Sequence, residues 1–252
     1  MKYRAGVLAR ETAVAPRVPV TIGTRGSVAV VTVDDGADNT IDIDIVDSLV
    51  SAFRTVQEHA GAVVLAGRPG WYSRGLDPDT MQAGGEPALN LLHSSTDLIL
   101  RLVEFPRPLV AACTGSALGA AAVTLLGCDF RVGTSGDFKI GIDFVPGGVP
   151  VPDLVVALAR SRLSPKHITR ACNTAELYSP DEAVQAGFLD FVTTEDAVEQ
   201  ACEVAADLSR RLDRRAFEAT REATSRSLTE AIMRSASDLW RLRRNSRTAA
   251  GR

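Results

Sequence analysis

The chain has 252 residues, 45% of them hydrophobic, and its 28 Lys and Arg against 31 Asp and Glu leave a net charge of −3. That length supplies a sizeable core in one or two domains, and a charge so near balance gives no footing for nucleic acid as a partner. There is no run of about 18 or more apolar residues such as a membrane-spanning helix calls for, so no membrane partner is expected.

Residues 1–20 carry scattered charges around no continuous apolar centre and read as an extension rather than a secretory leader. The four cysteines (Cys113, Cys128, Cys172 and Cys202) sit in apolar or helical surroundings without metal-ligand spacing. They are expected as reduced thiols in a cytoplasmic protein, with no metal site. Gly26 to Val33 is rich in β-branched residues and predicts a strand; the polar stretch Asp34 to Asn39 predicts a turn. From Asn39-Thr40-Ile41-Asp42 an amphipathic helix begins, with Ile45, Leu49, Phe53 and Val56 at helical spacing. Ala62 to Gly67 is the next strand, and strand, helix, strand at this spacing reads as a parallel βαβ unit. Gly67 to Gly75 reads as a loop, Gln82 to Glu86 as a mobile Gly-rich link, and Ala88 to Glu104 as a helix with Leu91, Leu92, Ser95, Leu98, Ile99 and Leu102 on its apolar face.

Pro106 to Pro150 organises the chain. Leu109 to Cys113 is a short apolar strand; Thr114-Gly115-Ser116 reads as a tight turn, and the small residues Ala117 to Ala122 lead into a buried helix. A second apolar run, Phe130 to Val132, is another strand. With so little side chain at Gly119-Ala120-Ala121-Ala122, the free N–H groups of a helix start can approach a ligand and hold an anion or a developing oxyanion. Downstream, helices are expected over Asp153 to Arg162, from Ser164 to Asn173 with Ser164 as cap and Pro165 in the first turn, from Ser179, and over Ala197 to Leu212.

Three of these stretches carry a resemblance. PRPLVAACTGSALGAA followed by CDFRV, VVLAGRPGWYSRGLDPDTM upstream and SPDEAVQAGFLDFV downstream resemble, in order, the signature segments of the crotonase (enoyl-CoA hydratase/isomerase) superfamily. The resemblance runs from about Gly26 to Leu208. It implies an α/β fold, a crotonase-like ββα superhelix core over 21–195, with a C-terminal helical trimerisation region over 196–252. It further implies a homotrimer or dimer of trimers, and an acyl-CoA thioester substrate that brings coenzyme A with it and needs no other cofactor. Matched position by position, the backbone N–H groups of Leu76 and Ala120 form the oxyanion hole. Asn39, Thr40 and Ile41 border the pantetheine; Arg74, Gly75, Asp77, Gly119, Val123 and Phe144 complete the substrate-binding set. Arg68 and Arg74 are candidates for the CoA phosphates, because Asp79 stands where the family often has a basic residue. The acyl pocket is expected among Leu76, Leu92, Val123, Phe138 and Phe144.

The departures matter for chemistry. Hydratases of the family use two glutamates; here the first position, four residues past Gly119, is Val123, which can neither give nor take a proton. Four residues before Gly147, the second position is Asp143. One carboxylate beside an oxyanion hole favours moving a double bond over adding water. Two alternatives stay open: a hydratase or other crotonase reaction recruiting a different residue such as His93 or Asp153, and a non-catalytic acyl-CoA-binding homologue. The C-terminal arginines (Arg210, Arg211, Arg214, Arg215, Arg241, Arg243 and Arg244) read first as a solvated helix face and second as contacts to CoA phosphates.

Overall fold

A computed structural model describes residues 19–250, with side chains described through Arg234. Most of the N-terminal extension, and the side chains of Arg241, Arg243 and Arg244, therefore lie outside the described residues. In chain order the elements are β1 (Val20–Arg25), β2 (Val28–Val33), β3 (Thr40–Ile41), α1 (Ile43–His59), β4 (Ala62–Ala66), β5 (Gly70–Ser73), β6 (Gly75–Leu76), α2 (Pro78–Ala83), α3 (Gly85–Val103), β7 (Leu109–Cys113) and β8 (Gly115–Leu118). There follow α4 (Ala120–Gly127), β9 (Phe130–Thr134), β10 (Ile140–Gly141), α5 (Asp153–Arg162), α6 (Pro165–Cys172), α7 (Pro180–Ala186), β11 (Phe191–Thr193), α8 (Ala197–Arg211) and α9 (Arg214–Ala250).

The strands sort into a six-stranded sheet, β1-β2-β4-β7-β9-β11, a three-stranded sheet, β10-β8-β5, and the pair β3-β6. All pairings are parallel except β1 with β2. The chain repeats one cycle: a strand in the large sheet, a strand in a small one, then helix. β4, β5 and α3, then β7, β8 and α4, then β9, β10 and α5 are successive turns of this ββα superhelix.

Central strands β4 and β7 are buried at every position, as parallel strands covered on both faces must be. Their side chains divide with the two-residue period of a strand. Val63, Leu65, Leu109, Ala111 and Cys113 join α1, α3 and α4 in the main core, whereas Ala62, Val64, Ala66, Val110 and Ala112 meet α8. Helix α8 buries Ala197, Ala201, Cys202 and Ala205 against that face, small side chains that let it lie close to the sheet, with Val198, Val204 and Leu208 packing partly buried around them.

Helix α1 starts where its sequence says, with the Asp42 carboxylate accepting from Ile45 N at 2.8 Å. Such a cap stabilises by about 1 kcal/mol. Ile45, Leu49, Phe53 and Val56 are buried, as their spacing predicts. Three expectations change. The Gly67–Gly75 loop contains β5 and begins β6; the turn after β7 is the strand β8; and Gln82 to Glu86 is the junction of α2 and α3, with Gly84 at φ 66° reversing direction between them. Each short strand begins with glycine and pairs with residues remote in sequence.

Helix α9 is anchored by buried Arg221, which donates to Val103 O at 3.1 Å, pairs with Asp129 and stacks over Phe217 at 4.9 Å. Asp129 also accepts from Leu109 N at 2.9 Å, so the Cys-Asp position joins β7, α4 and α9. Among the described residues no helix is long and apolar enough to cross a membrane.

Candidate active site

The site forms where the second turn of the superhelix meets the third. Helix α4 opens at Gly119, φ 54°, with no side-chain cap, and its first internal bond runs from Val123 N to Gly119 O at 3.2 Å. The N–H groups of Ala120, Ala121 and Ala122 therefore have no acceptor within the helix. Gly119 N donates to Gly141 O at 2.9 Å, which locks this turn to β10.

Gly75 brings the second wall in. At φ 98°, a Cβ there would stand 2.7 Å from Leu118 O and 3.4 Å from Ala120 N, so only glycine allows β6 to lie against the start of α4. β6 pairs with β3 in the register Thr40–Gly75 and Ile41–Leu76, and Asp77 N donates to Ile41 O at 2.9 Å. Alternation along a parallel ladder then turns the N–H of Leu76 away from β3. Gly75 thus seats Leu76 and the start of α4 at Ala120 side by side in one strand-helix corner.

Asp143 lies two residues past the end of β10. Its Oδ1 lies 2.9 Å from the position a Cβ on Gly119 would take, and the Phe144 ring edge is 3.6 Å from that same point. The carboxyl is half-buried and hence does not point freely into solvent. Burial raises its pKa above the ordinary value, against the lowering pull of its own backbone N–H and of the Arg74 guanidinium. Val123, one turn into α4, is 2% exposed and apolar, so no second carboxyl faces Asp143 from the place where it would be expected.

The remaining predicted residues divide by what their side chains do. Arg74 is 54% exposed and lies 3.5 Å from Asp38, while Arg68 is engaged by Asp34 at 3.3 Å and by Ala37 O. Of the two, Arg74 is the cation at the site. Asp77 caps α2, accepting from Thr80 N at 2.9 Å and from the Thr80 hydroxyl, and these bonds lower its pKa. Asn39 is fully buried, Ile41 is 6% exposed and Thr40 is half-buried with its hydroxyl on Asp38. Asn39, Ile41 and Val123, predicted to touch substrate, therefore have almost no side-chain surface to offer; they shape the site from beneath. Leu76 and Phe144 pack partly buried on the core beside the site. Phe138, expected in the acyl pocket, has its ring over Gly136 in the β9–β10 connection.

His93 stands on α3, 3.5 Å from Asp97 one turn on. Arg210 and Arg211 both pair with Asp207 on their own helix, at 3.4 and 2.9 Å, as a solvated face does. Sequence reasoning missed β10, whose Gly141 both receives Gly119 N and packs under Glu176 O, 2.7 Å from where its Cβ would be; the lone glycine between Ile140 and Ile142 was the available signal. A cavity of about 500 Å³ between α1, the end of α3 and α9 shares no residue with this cluster.

A family model described as Enoyl-CoA hydratase/isomerase matches residues 23–241. A crystal structure of an enoyl-CoA hydratase/isomerase family protein from Pseudomonas syringae superposes with a TM-score of 0.85 at 30% identity, over 87% of this chain and 96% of that one. Human mitochondrial enoyl-CoA delta isomerase 1 is 26% identical over 73% of this chain and 62% of its own length, so the match leaves over a third of that protein uncovered. A probable enoyl-CoA hydratase of Bacillus subtilis is 25% identical over 68% of this chain and 67% of its own.

Proposed function

Because the chain belongs to the enoyl-CoA hydratase/isomerase family, we propose that it shifts the double bond of an enoyl-CoA thioester from the 3,4 to the 2,3 position, using Asp143 as its one acid-base group. The observation that carries this reading is the Asp143 carboxyl seated against Gly119 at the start of α4, with buried Val123 where a second acid would have to be. Similarity to both a named isomerase and a named hydratase is compatible with the family's chemistry at large. The single carboxyl is what favours isomerisation.

In this mechanism the thioester oxygen accepts from Leu76 N–H and Ala120 N–H. Asp143, ionised, takes a proton from the carbon between the thioester and the double bond. The electron pair released forms the new C=C and pushes charge onto the thioester oxygen, where the two donors and the start of α4 hold it. The carboxylic acid then returns its proton to the far carbon of the old double bond, and the charge collapses back into the 2-enoyl thioester. A half-buried carboxyl with a raised pKa is suited to both halves of that transfer. Adding water would call for a second group to hold and activate it, and Val123 can do neither.

Coenzyme A enters only as part of the substrate. Arg74 is the residue proposed to meet its anionic portion. The buried, unpaired thiols of Cys113, Cys128, Cys172 and Cys202 support a reducing, cytoplasmic setting, and exposed Val145, Val149 and Leu177 support self-association, expected as a trimer or a dimer of trimers.

The test is a pair of assays on wild type and Asp143→Ala: conversion of a 3-enoyl-CoA to its 2-enoyl isomer, and hydration of a 2-enoyl-CoA. Isomerisation that falls by about 10²-fold or more in the variant, with little hydration in either protein, is the expected result. Hydration that survives Asp143→Ala would overturn the assignment, and acyl-CoA binding without turnover would make the chain a binding homologue.

A further inference from the structure

Among the described residues, Asn39 and Ala175 are the non-glycine residues with positive φ, and Asn39 at φ 55° is also fully buried. Asparagine tolerates this left-handed conformation better than most residues, yet holding it still costs free energy that surrounding contacts must offset. Those contacts are unusually many. The Asn39 amide donates to Val33 O at 2.8 Å, Tyr72 O at 3.2 Å and Trp71 O at 3.3 Å, and its Oδ1 accepts from Asp35 N at 3.0 Å. One side chain thus ties the end of β2, the turn that follows it and the middle of β5 together.

What that knot holds in place is the route to Leu76. Asp38 O accepts from Arg74 N at 2.9 Å, on one side of Asn39; on the other, Thr40 and Ile41 pair with Gly75 and Leu76. Residues 38–41 are therefore laid alongside residues 74–77, while the Asn39 amide grips the carbonyls of Trp71 and Tyr72, just before that segment. β6 is only two residues long, and a strand so short takes its position from its neighbours. We propose that Asn39 is a positioning residue: its buried amide sets the angle at which the Leu76 N–H faces the thioester oxygen. This deepens the proposed function and rests on the Leu76–Ala120 donor pair assigned there. It also reassigns Asn39 from ligand contact to support.

The experiment uses Asn39→Gly, which keeps the backbone conformation and deletes the amide, and Asn39→Asp, which keeps the shape but sets one carboxylate oxygen, in place of the donor nitrogen, against three carbonyls. Three things are read: the thermal midpoint, kcat and KM for 3-enoyl-CoA isomerisation well below that midpoint, and the absorption of bound 2,4-hexadienoyl-CoA. A conjugated thioester absorbs at longer wavelength when its carbonyl is polarised, so the shift on binding reports the donor pair directly. The expected result is a kcat lowered about 30-fold or more, KM within about threefold, and a diminished shift in both variants, since a misplacement of about 1 Å can cost 10²-fold.

Unchanged kcat and an unchanged shift, however far the midpoint falls, would overturn the positioning role and leave the donor pair standing. If wild type itself gives no shift, the donor pair is wrong and this inference falls with it. Should neither variant fold, the same readings on Asn39→Ser, which retains one donor, decide it by the same criteria.

Discussion

Asp143 Oδ1 and the missing side chain of Gly119 compete for one space: a Cβ on Gly119 would stand 2.9 Å from that oxygen. Gly119→Ala is therefore expected to act twice. A backbone at φ 54° and ψ −119° costs an L-residue about 1–3 kcal/mol, lowering the thermal midpoint by roughly 2–12 °C. The methyl also displaces the carboxyl, so turnover should fall more than tenfold with thioester affinity little changed. Calorimetry and steady-state kinetics on the same sample check both arms.

Asp143→Asn keeps the shape of the carboxyl and removes its ability to carry a proton. Turnover is expected to drop by about 10²–10⁴-fold, while binding of a non-reactive acyl-CoA stays near wild type in a calorimetric titration. An equal loss of binding would mean that Asp143 holds the site together rather than moving protons.

The pH dependence has a definite sign. Asp143 must be ionised to take the proton, and burial raises its pKa above the usual carboxylate value while Arg74 lowers it. So kcat/KM should climb with pH through that raised pKa and level off above it. Arg74→Ala removes the lowering influence and should move the climb to higher pH; Arg74→Lys should restore it. Stability runs the other way. A folded-state pKa above the unfolded one means that the folded chain holds the proton more tightly, so ionisation costs stability as pH rises above the ordinary carboxylate value of about 3.9. Asp143→Asn should accordingly be more stable than wild type at neutral pH, by a margin that closes as the solution is taken below that value.

Away from the site, buried Arg221 and half-buried Asp129 form a pair that fastens α9 to the end of α4. Arg221→Met leaves Asp129 with the Leu109 N–H alone. The expected loss is about 3 kcal/mol, a drop in midpoint of roughly 6–12 °C, with kcat unaltered in the protein that remains folded.

Much of the site was legible in the sequence because it is made of backbone and small residues at fixed spacing. Counting from Gly119 and from Gly147 lands on Val123 and Asp143, and the structure seats Asp143 against Gly119. The long helices announced themselves by period, and α5 has the predicted ends. What stayed hidden depends on partners far along the chain. β8 is a strand because β5 and β10 flank it, and β10 because it has β8 to pair with; neither Gly115–Leu118 nor Ile140–Gly141 carries a strand pattern of its own. Asn39 turns inward because the carbonyls of Trp71 and Tyr72 wait there, more than 30 positions on. The Arg221–Asp129 pair spans 92 positions, and no local pattern separates Arg221 from the arginines that stay exposed.

Helix α4 is buried on every side from Ala121 to Gly127. Dissolved ions have no approach to its flanks, so the field at its open end is not screened as a surface charge would be. Raising the ionic strength should weaken capture of a polyanionic thioester at exposed Arg74 yet leave the rate of the chemical step almost constant. On the proposed mechanism the electrostatics divide into an outer attraction that salt controls and an inner polarising field that salt reaches far less.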